Sequence, residues 1–455
     1  MRKKKEPQLN LLNLMPRNKI AQELEAIARL LDANQEILDL VYGDLVKYRR
    51  QDTGRNGLTA EQVLRCAILK QYRELTYEEL AFHLDDSRAF RSFAKLDMGQ
   101  YPCGSTLQDN ISAIGAETWE AVNRALLRFA AQREIEKGRT VRVDSTVVES
   151  NIHHPTDSTL LADGIRVITR LLQAGRSLDP APWYTFVDHQ RAAKKRVLRI
   201  LNAKKDQVRL TAYRELLSLA HRVMGYARQA ITELKGFVGA DLQQTIAAHI
   251  LLEQLEKAVA LLKQVLDQTE RRVIRSDKVP AGEKVLSFFE CHTDVIVKGG
   301  RDTQYGHKVF LSGGRTGLIL DCTIERGNPA DADRFLTLLD RQLAIFQRPP
   351  RQVAADGGFA SKENLRLAKA RRVKDVMFAK RRGLGVLDMV KSLWVYKKLR
   401  NFRAGIEANI SRLKRAFGLD RCNWQGWPGF RQYVWSVVVS YNVLVLGILL
   451  ATSQK

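Results

Sequence analysis

The sequence predicts an α/β protein: a mixed sheet with flanking helices, interrupted by a helical insertion and preceded by an all-α segment. Three observations carry this prediction. Short β-branched runs occur around residues 140–149 and again between 308 and 379. The stretches before and between them read at helical period. With the intervening helical stretch removed, the remaining order is strand, hairpin, helix, strand, helix, strand, helix. That order describes three strands in meander followed by alternating helices and strands.

Length and composition agree. The chain has 455 residues, and a single domain averages about 100–200, so two or three domains are expected. With 45% hydrophobic and 27% charged residues, wholesale disorder and a fibrous repeat are excluded. The charge balance is unusual: 74 Lys+Arg against 50 Asp+Glu gives +24. Such a surface favours a polyanion, either nucleic acid or an anionic membrane. Cys66, Cys103, Cys291, Cys322 and Cys422 form no C-x-x-C pair, which supports neither a disulfide framework nor a zinc ribbon and fits a reducing cytoplasm.

The elements follow in order. The basic start leads into Leu9, Leu11, Leu12, Leu14 and Met15, but Asn10, Asn13 and Pro16 break the run and no small-residue cleavage site follows, so no signal peptide is expected. Residues 18–134 read as helical. Three S/T-x-x-E/Q boxes mark helix starts there: Thr59 with Gln62, Thr76 with Glu79, and Ser105 with Gln108. Short helices in a basic protein suit either a helix-turn-helix arrangement or a plain bundle. In residues 140–149, Val141, Val143 and Ser145 alternate with Arg142 and Asp144, which predicts a strand. Residues 156–275 turn helical. Leu251, Leu255, Val259, Leu262, Leu266 and Val273 there suit an antiparallel hairpin or short coiled coil.

Strands return at Lys308–Leu311 and Leu318–Ile324 around a glycine-rich turn, a hairpin pattern. Asn328-Pro-Ala-Asp331 opens a helix to Phe346. Strands are expected at 352–355 and 375–379, and helices at 362–370, 402–417 and 428–450. Val434 to Gln454 carries no charge and is long enough to span a bilayer. Its Ser436, Ser440, Tyr441, Asn442 and Gly447 favour a buried core helix over a membrane span. The domain boundaries expected are a helical N-terminal part at 1–135, a sheet domain at 136–155 and 276–455, and the insertion at 156–275. A ribonuclease-H-like domain has this strand and helix order.

Three acids stand out. Asp144 interrupts a β-branched strand, where a carboxylate has low propensity. Asp356 ends another short strand and precedes Gly357-Gly358, which let a ligand or backbone approach closely. On neighbouring strands the two carboxylates would hold Mg²⁺ or Mn²⁺ through oxygen. A third acid, Glu407, lies on a helix. With about 100° per residue and Arg403 at zero, Glu407 falls near 40°, Lys414 near 20°, Arg400 near 60° and Tyr396 near 20°. Phe402, Ile406, Ile410, Leu413 and Phe417 form an apolar stripe beside them. Taken alone, the charged stripe is a solvated face with an Arg403–Glu407 i,i+4 pair. From Lys380 to Arg415, however, there are eleven Lys/Arg and only Asp388 and Glu407 as acids, a setting suited to a phosphate backbone. His153 and His154 read as loop residues, since hard oxygen donors suit Mg²⁺ better than imidazole. Trp424 and Trp427 read as core rather than as base-stacking groups.

At these residues the chain resembles bacterial insertion-sequence transposases of the DDE class, which have a ribonuclease-H-like catalytic domain. The resemblance rests on Val143-Asp-Ser-Thr146, on Ala355-Asp-Gly-Gly-Phe359, and on Arg403-x3-Glu407-x6-Lys414, which is similar to a Y-x2-R-x3-E-x6-K signature. Tyr305-Gly-His-Lys308 and Gly327-Asn-Pro-Ala-Asp331 also look family-like. The signature's Tyr slot is Arg400 here, and Tyr396 lies one turn earlier on the same face. The step from Asp144 to Asp356 is 212 residues, so the insertion follows the first strand.

The resemblance implies metal-dependent cleavage at element ends and strand transfer into target DNA. Asp144, Asp356 and Glu407 would be catalytic and would hold two Mg²⁺ (or Mn²⁺) ions about 3.5–4 Å apart. Arg403, Lys414, Arg400 and Tyr396 would contact DNA. The trio's mutual repulsion would leave the site poorly ordered, or destabilising, without metal. A homodimer on DNA, no membrane, and a cytoplasmic, nucleoid-associated location are also implied. The alternatives are a catalytically inactive DNA-binding regulator derived from a transposase, and a nuclease of the same fold that cuts without joining.

Overall fold

The computed structural model describes residues 4, 18–47, 57–298 and 302–453. Apart from Lys4, the basic start and the leucine-rich stretch judged not to be a signal peptide lie outside the described residues. The chain forms two compact units, residues 1–150 with 296–455, and residues 151–295.

Among the described residues the first unit opens with the helices α1 (Lys19–Asp32), α2 (Gln35–Val46), α3 (Ala60–Tyr72), α4 (Tyr77–Asp86), α5 (Arg88–Ala94), α6 (Gly104–Ile111) and α7 (Ala116–Gln132). Thr59 and Thr76 cap α3 and α4 as expected: each hydroxyl accepts from the backbone of the residue three on, and that residue's side chain returns the bond. Ser105 does not cap α6. Cys103 takes the N-cap place, with its Sγ 3.2 Å from the hydroxyls of Ser105 and Thr106, so Ser105 falls inside the first turn.

Helix α3 is buried along its whole length, including Glu61, Arg65 and Lys70. Arg65 is neutralised internally by Glu61 at 3.0 Å and Asp32 at 2.9 Å, and donates to the Phe93 carbonyl. Among the described residues no carboxylate pairs with Lys70; its ammonium sits 4.6 Å from the centre of the Tyr77 ring. Burial lowers its pKa from 10.5 to about 8. The folded state therefore loses the proton near pH 8 and the unfolded chain near 10.5. Stability rises with pH across that window, and below it the full cost of the buried charge is carried. Lys70→Met is expected to stabilise the protein by about 3 kcal/mol at pH 7 and to flatten the rise between pH 8 and 10.5. Urea unfolding of both proteins at pH 7, 9 and 10.5 checks this, and parallel profiles would refute it.

Strand β1 (Thr140–Ser150) leads into the second unit. That unit holds α8 (Asp157–Gly175), α9 (Gln190–Asn202), α10 (Asp206–Lys235) and α11 (Leu242–Thr269) around its own apolar core. Leu251, Leu255, Leu262 and Leu266 of α11 are buried as their spacing predicts, with Ala258 rather than Val259 in the seam. The insertion holds four helices, in which α11 packs on α10 and α8.

The first unit resumes with β2 (Asp294–Lys298), β3 (Asp302–Gly313), β4 (Ile319–Glu325), α12 (Asp331–Phe346), β5 (Gln352–Ala355), α13 (Lys362–Ala370), β6 (Asp375–Phe378), α14 (Val386–Met389), α15 (Leu393–Ala416), β7 (Arg421–Cys422) and α16 (Gly426–Ser453). The sheet order is β2-β3-β1-β5-β6, with β4 also on β3 and β7 on the end of β1. β4, β3 and β1 are antiparallel, whereas β1, β5 and β6 are parallel. This is a mixed α/β fold with the ribonuclease-H-like strand order. Helix α15 begins at Leu393, earlier than the expected Phe402, because the Ser392 hydroxyl caps it by accepting from Val395 N at 3.3 Å.

Helix α16 is apolar enough to cross a membrane, yet 78% of its most apolar window is buried inside the protein. Its polar residues explain that fate. Asn442 accepts from Ile319 N at 2.8 Å and donates to Ile319 O at 2.7 Å, which binds the helix to β4. Gly447 lets α1 approach, since a Cβ there would lie 3.1 Å from the Ala26 backbone.

Candidate active site

The pairing of β1 with β5 builds the floor of the site. Their parallel register ends at Val143 opposite Ala355. The next residue on each chain is an aspartate, so Asp144 and Asp356 emerge side by side at the carboxyl end of the parallel pair. Strand β1 continues to Ser150 against β3, while the chain after β5 turns away in a single 3₁₀ turn, Gly357–Phe359. That divergence opens a cleft, as parallel sheets do at their carboxyl ends. Crowding favours glycine at Gly357, where a Cβ would lie 2.5 Å from the Lys380 Cβ, and at Gly358 a Cβ would displace the Asp331 carboxylate.

Helix α15 packs across β1, β5 and β6 and supplies the third carboxylate. Ile406 and Leu413 are buried and Phe402 and Ile410 partly so, which turns the charged stripe over the strand ends. Arg403 points into the middle. Its Nη2 lies 3.1 Å from Asp144 Oδ2, 3.4 Å from Asp356 Oδ1 and 3.0 Å from Glu407 Oε1. The Arg403–Glu407 pair expected of a solvated face is present, but the same nitrogen also gathers the two aspartates. Asp144 is 13% exposed, Asp356 40% and Glu407 61%. One arginine nitrogen thus stands as counter-charge among the three carboxylates. The second oxygen of Asp144 accepts from Ser145 N at 2.8 Å.

The cleft measures about 710 Å³ and is lined by the trio, Arg403, Ser145, Thr146, Ile410, Ser411, Lys414, Arg415 and Asp420. Lys414 is in place on the same face, paired with Asp420 at 3.1 Å. Arg400 is exposed and Tyr396 half-buried, and neither lines the cleft. The Tyr396 hydroxyl donates to Phe378 O at 3.1 Å, tying the start of α15 to the end of β6. His153 pairs with Asp163 at 3.4 Å inside the helical unit. Trp424 is buried, and Trp427 stacks on Phe430 with ring centres 6.0 Å apart, so both indoles serve packing.

Sequence reasoning missed several supporting residues. Arg142 lies two residues before Asp144 on the same face of β1. Its guanidinium donates to Phe402 O at 3.2 Å and to Asn409 Oδ1 at 3.3 Å. Gly405 makes room for it, since a Cβ there would fall 1.9 Å from Arg142 Nη1. This clamp fixes the register of α15 on β1, and with it the position of Glu407 relative to Asp144. The period-2 pairing of Arg142 with Asp144 was the available signal. Asp331, noted only as part of a motif, accepts from Ser145 Oγ at 3.3 Å and pairs with Lys308 at 2.6 Å. It braces the floor from behind.

Among the described residues no group of three or more His, Cys, Asp or Glu side chains stands as a ready metal cluster. The trio nevertheless fits a hard divalent ion in chemistry: all donors are carboxylate oxygens, and three of them already converge on one cationic nitrogen. Arg403 Nη2 stands at that convergence point.

A family model described as a transposase DDE domain matches residues 287–443, and a second described as a transposase domain matches residues 10–113. Asp356, Arg403, Glu407 and Lys414 lie inside the first match, and Asp144 lies outside both. No curated protein and no solved structure matches the chain.

Proposed function

Since this chain belongs to the DDE-class transposases of insertion sequences, we propose that it cuts DNA at the ends of its element and joins the freed 3′ ends to target DNA, with Asp144, Asp356 and Glu407 as the catalytic, metal-holding carboxylates. The observation that carries this reading is the convergence of three carboxylate oxygens from β1, the end of β5 and α15 on one cationic position in an open cleft. A divalent ion held there, Mg²⁺ or Mn²⁺, supplies Lewis-acid charge at the phosphoryl group and a more acidic water or 3′ hydroxyl.

The chain's own residues do the rest. Lys414 and Arg415, both on the cleft wall, bind the phosphates flanking the scissile bond, and Arg403 offers a planar fork suited to one of them. Arg142 and Asn409 hold α15 so that Glu407 faces the strand ends. Arg400 and the other exposed cations of residues 380–415 guide the duplex toward the cleft. The helices before residue 135 are assigned to binding of the element end, and two chains hold two ends together as a homodimer, acting on nucleoid DNA in the cytoplasm. Tyr396, with its hydroxyl already bonded to Phe378 O, is assigned to the orientation of α15 rather than to DNA.

The test uses the full chain with labelled fragments of the DNA flanking its coding region and Mg²⁺, comparing wild type with Asp144→Ala. Nicks at inverted-repeat ends and joined products, both lost in the variant, are the expected result. Binding without cleavage in both proteins would make the chain a regulator, and nicks without joined products would make it a nuclease.

A further inference from the structure

We infer that Arg403 is a positioning residue that occupies the cation position of the carboxylate trio until DNA draws it away, so that arrival of a DNA end and loading of the metal site are coupled. The inference rests on the reading of Asp144, Asp356 and Glu407 as the metal site. A single Arg403 nitrogen lies within 3.4 Å of an oxygen from each of three different segments. An ordinary i,i+4 pair needs only one of those contacts. The pose keeps the trio assembled against its own repulsion, so the site is preformed without metal.

The same pose is incomplete. Arg403 Nε is buried with no hydrogen-bond partner, although a guanidinium has donors that all seek acceptors. A phosphate entering the cleft beside Lys414 and Arg415 presents oxygens in the geometry that an arginine fork matches bidentately. Because Arg403 and Glu407 share α15, the arginine changes partner by side-chain rotation, with no backbone movement. Its departure leaves three carboxylates facing one another, which strengthens their demand for another cation. Metal and DNA therefore favour each other's binding through this one side chain, and the coupling is reciprocal.

The probe is Mn²⁺ alone, titrated into the full chain and followed by the electron paramagnetic resonance signal of the free ion. Arg403→Gln is expected to bind Mn²⁺ about tenfold more tightly than wild type, within the usual range of coupling factors. Lys414→Gln removes the same charge from the same cleft but takes it from a lysine paired with Asp420, and is expected to change the affinity about twofold or less. A short duplex should tighten Mn²⁺ binding to wild type about tenfold and to Arg403→Gln far less. The inference fails if Arg403→Gln matches wild type, if both variants tighten equally, or if wild type shows no duplex-induced gain. That last measurement needs no variant and stands even where Arg403→Gln fails to fold. Asp144→Ala runs in parallel: retention of wild-type Mn²⁺ binding there overturns the metal-site reading itself, whereas its loss beside an unchanged Arg403→Gln overturns only the role given to Arg403.

Discussion

Glu407→Gln is expected to lower strand cleavage at least about a thousandfold, the scale of losing one preorganised electrostatic contact at a reacting centre, while DNA binding stays within a few-fold of wild type. The substitution keeps the shape and removes only the charge. Glu407 is 61% exposed, and its ion pair here is with Arg403, so folding is barely affected; exposed i,i+4 pairs contribute about 0.3–0.5 kcal/mol. A purely structural Glu407 therefore predicts no catalytic change, and a metal-holding Glu407 predicts near-complete loss. A single-turnover cleavage assay with a gel-shift control separates the two. Cleavage within tenfold of wild type would remove Glu407 from the site.

The largest effect on stability is expected at Arg341. This residue of α12 makes two bonds to Asp321 of β4, at 2.5 and 2.7 Å, and a third to Glu120 of α7 at 3.0 Å. Asp321 is 1% exposed. Burial raises its carboxyl pKa and Arg341 opposes that rise. Arg341→Met removes the opposing charge and leaves a buried carboxylate unpaired, at a cost of about 3–5 kcal/mol. The sign of the pH effect follows. With a folded pKa above the unfolded one, the folded state holds the extra proton. The variant's stability is therefore best at acid pH, below the ordinary carboxylate value, and is lost as pH rises through the raised folded pKa. Denaturant melts at pH 4.5 and 7.5 check this, and a variant less stable at pH 4.5 than at 7.5, relative to wild type, would contradict it. The double variant Asp321→Leu/Arg341→Met should recover most of the loss, since replacing a whole buried pair with apolar groups is often neutral.

What the sequence by itself determined is local. Strand β1 was legible because β-branched residues alternate there. The three acids were legible as anomalies: Asp144 within a β-branched strand, Asp356 before two glycines, Glu407 one of two acids among eleven cations. Ser436, Ser440, Tyr441, Asn442 and Gly447 marked α16 as a core helix, because a run with that many polar and small residues reads as a buried helix of a folded domain. Local reading failed where a partner lay far along the chain. The helical period of α3 carried no sign that Arg65 is buried, because Asp32 and the Phe93 carbonyl, which meet it, lie elsewhere in the chain. Ser105 matched a capping pattern that Cys103 pre-empted.

Only the tertiary structure decided that Asp144 stands beside Asp356, because that follows from the β1–β5 register. It alone placed Arg403 among three carboxylates, one of them 259 residues away in the chain. It alone showed that Arg142 and Gly405 set the height of Glu407. Spacing reports the face on which a side chain lies. The partner on that face is chosen by strand pairing and helix packing, which bring together residues whose separation in sequence carries no signal of contact.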